Sequence, residues 1–205
     1  MATTIRPYQP ADRDAVYDVC VRTADAGGDA RGLYVSDDLM PDAFAGPYLA
    51  LEPGLAFVLD AGGRAVGYVV GCADTAAFVA AVRERWLPRM TGRYPPDASY
   101  GSSEWLVRDL YHPERMLLPE LAGYPAHLHV DVLPEHQGAG HGRALIETFL
   151  AAAAGRGARA LHLGVAPANR RALGFYAHLG FHRIPITSRE VGAVFLGRST
   201  APTTR

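Results

Sequence analysis

The stretch that most constrains this chain is Ala126–Ala153, AHLHVDVLPEHQGAGHGRALIETFLAAA. It reads as a β-strand over about Ala126–Leu133, a glycine-rich turn over Gln137–Gly142, and then a helix. Val130 and Val132 supply the β-branching that strands favour. Pro134 has no N–H to give to a ladder, so the strand ends there. Gly138, Gly140 and Gly142 recur at every second position. Without a Cβ they let backbone amides close on a ligand. The helix behind them opens with unbonded N–H groups and the positive end of its dipole aimed at the turn. A phosphate or pyrophosphate is the natural guest.

Two common phosphate sites do not fit. A P-loop closes its glycine turn with Lys and Ser/Thr, where this chain has His141, Gly142 and Arg143. A dinucleotide fold needs G-x-G-x-x-G and a carboxylate about 20 residues on. Here the spacing is G-x-G-x-G, and no carboxylate stands near Leu161. The run Gln137-Gly138-Ala139-Gly140-His141-Gly142 resembles instead the Q/R-x-x-G-x-G/A signature of the GNAT acetyltransferases. That resemblance implies a cradle for the pyrophosphate of acetyl-CoA, built from the amides of Gln137–Arg143.

A second motif follows in the right order, after one helix and one strand. Asn169 to Phe181, NRRALGFYAHLGF, resembles the family's N-x-x-A-x-x-F-Y-x-x-x-G-F segment. The opening I-R-P-x-x-x-x-D before a helix is also similar to GNAT domains. The implied fold is α/β, a mixed and mostly antiparallel sheet with helices on both faces. Its fourth and fifth strands run parallel and splay apart.

The remaining elements fit that frame. Thr3–Pro7 reads as a first strand, and Pro10 and Asp12 start a helix to about Ala24. Thr23–Gly32 is a loop by its glycines and aspartates. Pro41–Leu51 is a second helix interrupted at Gly46-Pro47. Leu55–Asp60 and Val66–Ala73 form a hairpin through Ala61–Arg64. Arg159–Val165 is the fifth strand, and Phe181–Ile184 and Val191–Leu196 close the sheet. One domain is expected over 1–198, with 199–205 as a disordered polar tail.

Between the third and fourth strands lies an insertion of roughly fifty residues, about 75–125. Thr75–Tyr94 reads as a helix with Phe78, Val79, Val82 and Trp86 at helical spacing, bending or ending near Pro88. Ser103–Tyr111 reads as a second short helix. So patterned a segment is no plain loop, and it is expected to cover the acceptor side of the site, though it could instead thicken the core or form a dimer face. Gly46-Pro47-Tyr48-Leu49, Gly67–Gly71, Trp86-Leu87-Pro88 and Arg93-Tyr94-Pro95 look like the acetyltransferase-like C-terminal domain of the O-GlcNAc hydrolases. That domain is generally regarded as a pseudo-acetyltransferase; this chain departs from it in keeping the complete glycine turn.

Composition excludes more than it identifies. The formal net charge of −1 over 205 residues argues for neither nucleic acid nor an anionic membrane. Cys20 and Cys72, without metal-type spacing, fit a reducing cytoplasm, and the N-terminus lacks a signal pattern. Cys20 reads as a small buried hydrophobe. A homodimer is possible. The acceptor is a small-molecule or peptide amine; Asp25, Asp29, Asp109 and Asp131 hint weakly at a cationic one.

Acyl transfer to an amine then assigns roles. The resemblance implies that a main-chain N–H of the fourth strand polarises the thioester carbonyl, with Val130 and Val132 as candidates. It implies that Tyr176 protonates the leaving thiolate and that Asn169 contacts CoA. Asn169 is also placed to cap the following helix. A thiol is more acidic than a phenol by about 1.5 units, so Tyr176 helps by position more than by driving force. For the general base, His127, His129 and Asp131 alternate on one strand face. Asp131 and His129 stand equal and His127 behind them; a free His, near pKa 6.5, suits the task untuned. No metal is expected: His127-x-His129-x-Asp131 brushes against a metallohydrolase run, but Val132 stands where its closing His belongs. The serious rival is a non-catalytic module that binds CoA or a partner without turnover.

Overall fold

The computed structural model describes residues 3–188 and 192–201. The chain opens with β1 (Thr3–Pro7) and α1 (Arg13–Val21). Two short helices follow, α2 (Leu39–Phe44) and α3 (Gly46–Leu51), broken at Ala45. Gly46 is required there, because a Cβ would run into the Tyr17 hydroxyl and the Trp86 ring. The hairpin is β2 (Phe57–Ala61) with β3 (Ala65–Cys72). The insertion holds α4 (Thr75–Ala81), a π turn at Val82–Trp86, α5 (Leu87–Met90) and α6 (Glu104–Tyr111). Pro88 lacks an N–H and its ring crowds the preceding turn, which the widened π turn accommodates. The helix therefore stops at Met90, four residues short of the expected Tyr94.

The second half runs β4 (Ala126–Val132), α7 (His141–Gly155), β5 (Ala160–Val165) and α8 (Arg170–His178). The last strands are β6 (His182–Ile184) and β7 (Val194–Ser199). All seven lie in one sheet, ordered β1-β2-β3-β4-β5-β7-β6. β4 and β5 are its parallel pair, and every other neighbour is antiparallel. This is the sheet expected from the sequence. β3 is buried along its whole length, between α1 and α3 on one face and α7 on the other. Gly71 faces α7 so closely that a Cβ would strike the Phe149 ring.

The polar end begins later than expected. Ser199 pairs with Ala160, and the buried Thr200 donates to the Ala158 carbonyl at 2.7 Å. The Ala158 and Arg159 carbonyls, just ahead of β5, take their hydrogen bonds from Thr200. Val191, expected to open the closing strand, and residues 202–205 lie outside the described residues.

Candidate active site

The glycine turn has the backbone its sequence implies. Gly138 and Gly140 sit at φ of 83° and 84°, and Gly140 is the residue from which α7 starts. Both are left-handed positions that side chains resist. Gly142 serves packing, since a Cβ there would come within 3.2 Å of Phe175 on α8. Gln137 folds back, its Nε2 donating to the Val132 carbonyl at 2.7 Å, and so ties the turn to the end of β4. Arg143 reaches Glu147 at 3.6 Å across one turn of α7, and His141 approaches the Thr3 hydroxyl.

β4 and β5 pair at Ala126↔Leu161 and His127↔His162, and beyond His127 they diverge into a V. Leu133 N–H donates to Val66 of β3. Strand amides alternate in direction, so the N–H groups of Val132 and Val130 point the other way, into the V. Both main-chain candidates for polarising a carbonyl thus face open space.

A cavity of about 510 Å³ occupies the mouth of the V. Val130, Asp131 and Val132 of β4 line it, with Gln137, Gly138, Gly140, His141, Gly142 and Arg143 from the turn. Asn169 and Tyr176 line it from the α8 side. Eleven sequence candidates therefore converge on one space; Ala139, exposed at the crest of the turn, does not line it. Asn169 Oδ1 also accepts from Ala172 N–H at 3.0 Å, so it caps α8 while facing the cavity. Burial, with the nearby Asp131 charge, raises the Tyr176 phenol, which is fully protonated at any working pH.

A second cavity, of about 330 Å³, lies deeper along the same strand. His127, Leu128 and His129 line this one, so consecutive thirds of β4 serve different spaces. The register with β3 runs without a shift, and the three candidate bases do share a face. The divergence of β5 separates them. Its walls include Phe44, Tyr48 and Phe195, with His162 from β5. The insertion contributes Asp109, Leu110, Arg115 and Met116.

The two histidines are tied into one chain of hydrogen bonds. Thr75 Oγ1 donates to the Pro125 carbonyl at 2.7 Å, and His127 Nδ1 lies 2.8 Å from the same Oγ1. A hydroxyl has one proton, so His127 Nδ1 carries the hydrogen and Nε2 is bare. That Nε2 lies 2.7 Å from the Tyr48 hydroxyl, which must therefore donate to it. Tyr48 oxygen is then left to accept from His129 Nε2 at 3.2 Å. By this accounting His129 is the Nε2–H tautomer and its Nδ1 holds the free lone pair.

Burial reverses the expectation for the bases. His129 is pushed down to about 4, first by desolvation and then by the Arg115 charge. His127 falls well below the ordinary value, again chiefly by burial. The premise that His129 suits neutral pH untuned is thus corrected: it is a weak base, uncharged at neutral pH. Asp131 moves the other way, raised by burial although Tyr68 donates to it at 2.6 Å. The hint of a cationic acceptor also loses support. Asp29 is held by Arg31, and Asp109 by Arg115 at 3.5 Å.

Sequence reasoning missed Tyr68, Phe44, Thr75 and Arg115. Tyr68 was findable, because the antiparallel register sets it opposite Asp131. Arg115 sits in a short 3-10 turn of the insertion with no periodic signal to place it. Among the described residues no His, Cys, Asp and Glu group stands ready to hold a metal.

The profile of the Acetyltransferase (GNAT) family matches residues 29–181. Among solved structures, SsHAT is 54% identical, superposes with a TM-score of 0.93, and is covered in full by 98% of this chain. YncA, a putative acetyltransferase from Salmonella typhimurium solved with acetyl-CoA, shares the fold at 16% identity and a TM-score of 0.57, over 100% of this chain and 98% of its own. Rat protein O-GlcNAcase (Rattus norvegicus) is 29% identical over 204 residues. The match takes in 96% of this chain but 22% of that enzyme, so the chain spans about a fifth of this curated relative.

Proposed function

The chain belongs to the acetyltransferase (GNAT) family, and from that premise we propose that it transfers an acetyl group from acetyl-CoA directly to an amine. The observation that carries the proposal is the convergence of the two motifs on the V. The Gln137–Arg143 turn, the Val130 and Val132 amides and Tyr176 line one continuous cavity.

The residues present fit the cosubstrate. The amides of Gly138–Arg143, at the positive end of the fifteen-residue α7, would hold its pyrophosphate. Asn169 would contact the cofactor from α8. The Val130 and Val132 N–H groups would accept the charge that develops on a carbonyl oxygen within the V. Tyr176, kept protonated by burial, would give a proton to the departing sulfur. His129, from the deeper cavity, or Asp131, within the V itself, would take the proton from the amine. Acetyl-CoA supplies the activated acyl carbon; the chain supplies position, polarisation and proton transfer.

A second reading is favoured by the likeness to O-GlcNAcase: a module that binds CoA or a protein partner without turnover. One experiment divides the two. CoA is titrated calorimetrically, and thiol release from acetyl-CoA is followed across a broad panel of amines. Binding with amine-dependent release supports the enzyme. Binding without release, across the panel, supports the module. Absence of CoA binding removes both the enzyme and a CoA-binding module.

A further inference from the structure

We propose that the acceptor is an amine carried directly on an aromatic ring, bound in the cavity walled by Phe44, Tyr48 and Phe195, and not a lysine side chain or a polyamine. This rests on the acetyltransferase reading and deepens it.

The first argument is the wall. Phe44 and Tyr48 each stand edge-on to His129, with ring centroids 5.8 and 5.3 Å away. Tyr48 is itself locked, stacked on Phe78 at 4.3 Å and 13°. Phe195 closes the side toward β5. Such faces favour a flat apolar guest in offset or edge contact. The space, about 330 Å³, is roughly twice the ~150 Å³ cavity that takes up a benzene.

The second argument is charge. Among the described residues lining the cavity, Asp109 is the carboxylate, and both Arg115 and Arg108 engage it. The Arg115 guanidinium lies over Phe44, 5.5 Å from its ring centre. A lysine ammonium or a polyamine entering here would lose its hydration beside a fixed cation, without a free anion to compensate.

The third argument is the base. The lone pair of His129 sits on Nδ1, because Tyr48 holds the other nitrogen. With its conjugate acid near 4, that imidazole cannot strip an alkylammonium of pKa about 10.4. It can take the proton that an amine already neutral on arrival sheds during attack. The amine lone pair forms the N–C bond to the acyl carbon, and the C–S bond breaks with its pair on sulfur. The nitrogen's proton passes to His129 Nδ1 and onward to solvent. Tyr176 gives one to sulfur and regains it from solvent, so the net transfer is from amine to thiol.

The test is thiol release from acetyl-CoA with aniline, Nα-acetyl-lysine amide and spermidine, alongside calorimetric titration of CoA. An aromatic amine should exceed both cationic acceptors at least tenfold in kcat/KM. Phe44→Leu, which keeps an apolar wall but removes the ring face, should raise the aromatic KM severalfold at unchanged CoA affinity. Equal or better use of lysine amide or spermidine overturns the acceptor class and leaves the acetyltransferase standing. An unchanged KM in Phe44→Leu overturns the assignment of the cavity. CoA binding with no release from any amine overturns it too and favours the module. Absence of CoA binding sinks the premise itself.

Discussion

Tyr68 on β3 and Asp131 on β4 stand directly opposite in antiparallel register, and the Tyr68 hydroxyl donates to the Asp131 carboxylate at 2.6 Å. The pair sits where the V opens. Burial raises the Asp131 pKa, and the Tyr68 hydrogen bond restores only part of that. The folded protein therefore binds this proton more tightly than the unfolded chain. Between the two pKa values stability falls as pH rises.

Replacing the charge should remove that cost. Asp131→Asn keeps an acceptor for Tyr68 and is expected to raise the Tm at pH 7 by a few degrees. The difference from the parent should shrink toward zero as pH is lowered through the carboxylate range, where Asp131 is protonated in both states. Thermal melts of the two proteins at pH 7 and at about pH 3, below the ordinary Asp value of about 3.9, measure this. A parent more stable than the variant at both pH values contradicts it.

His129 contributes with the opposite sign. Its folded pKa, about 4, lies below the ordinary 6.5 of an unfolded chain. The stability it confers is complete above about 6.5 and is lost as pH falls toward 4, by as much as about 3 kcal/mol. His129→Asn should flatten urea-derived stability across pH 6.5 to 4.5. A pH slope identical to the parent's would mean that His129 titrates normally when folded.

Tyr176→Phe deletes a proton donor and keeps the ring packed against Phe175 and Phe181. Turnover should fall by about 10²-fold or more, in the range of a lost general acid. CoA affinity, measured by calorimetry, should stay within a factor of a few. Full activity with any accepted amine removes Tyr176 from proton transfer.

Gly140→Asp puts a side chain at φ 84° and a negative charge at the start of α7. Both strain and repulsion act where the pyrophosphate is expected. CoA binding should be lost beyond detection, while far-UV circular dichroism stays near that of the parent. Retained affinity in a folded variant would move the cofactor away from this turn.

Much of the architecture was legible because its signals are local. The spacing of glycines, the Pro134 stop and the alternation in β4 each act within a few residues, and they yielded the strand, turn and helix in their order along the chain. Gly46 before Pro47 marked the α2–α3 break, which the Trp86 and Tyr17 rings then explain. Ser199 belongs to β7 and not to the tail, which local signals do not show because its partner Ala160 lies about forty residues away in sequence.

The amino-acid order alone determined that a glycine-rich turn would follow a strand and precede a helix, and the resemblance to the family implied that Asn169 and Tyr176 would come back beside it. Only the tertiary structure decided what the strand's own side chains would become. The divergence of β5 splits His129 from Asp131 into different cavities, and the insertion brings Arg115 and Asp109 over one of them. Burial then drives the two candidate bases in opposite directions. Desolvation and the field of a distant charge depend on three-dimensional distance, and spacing along the chain carries no record of it.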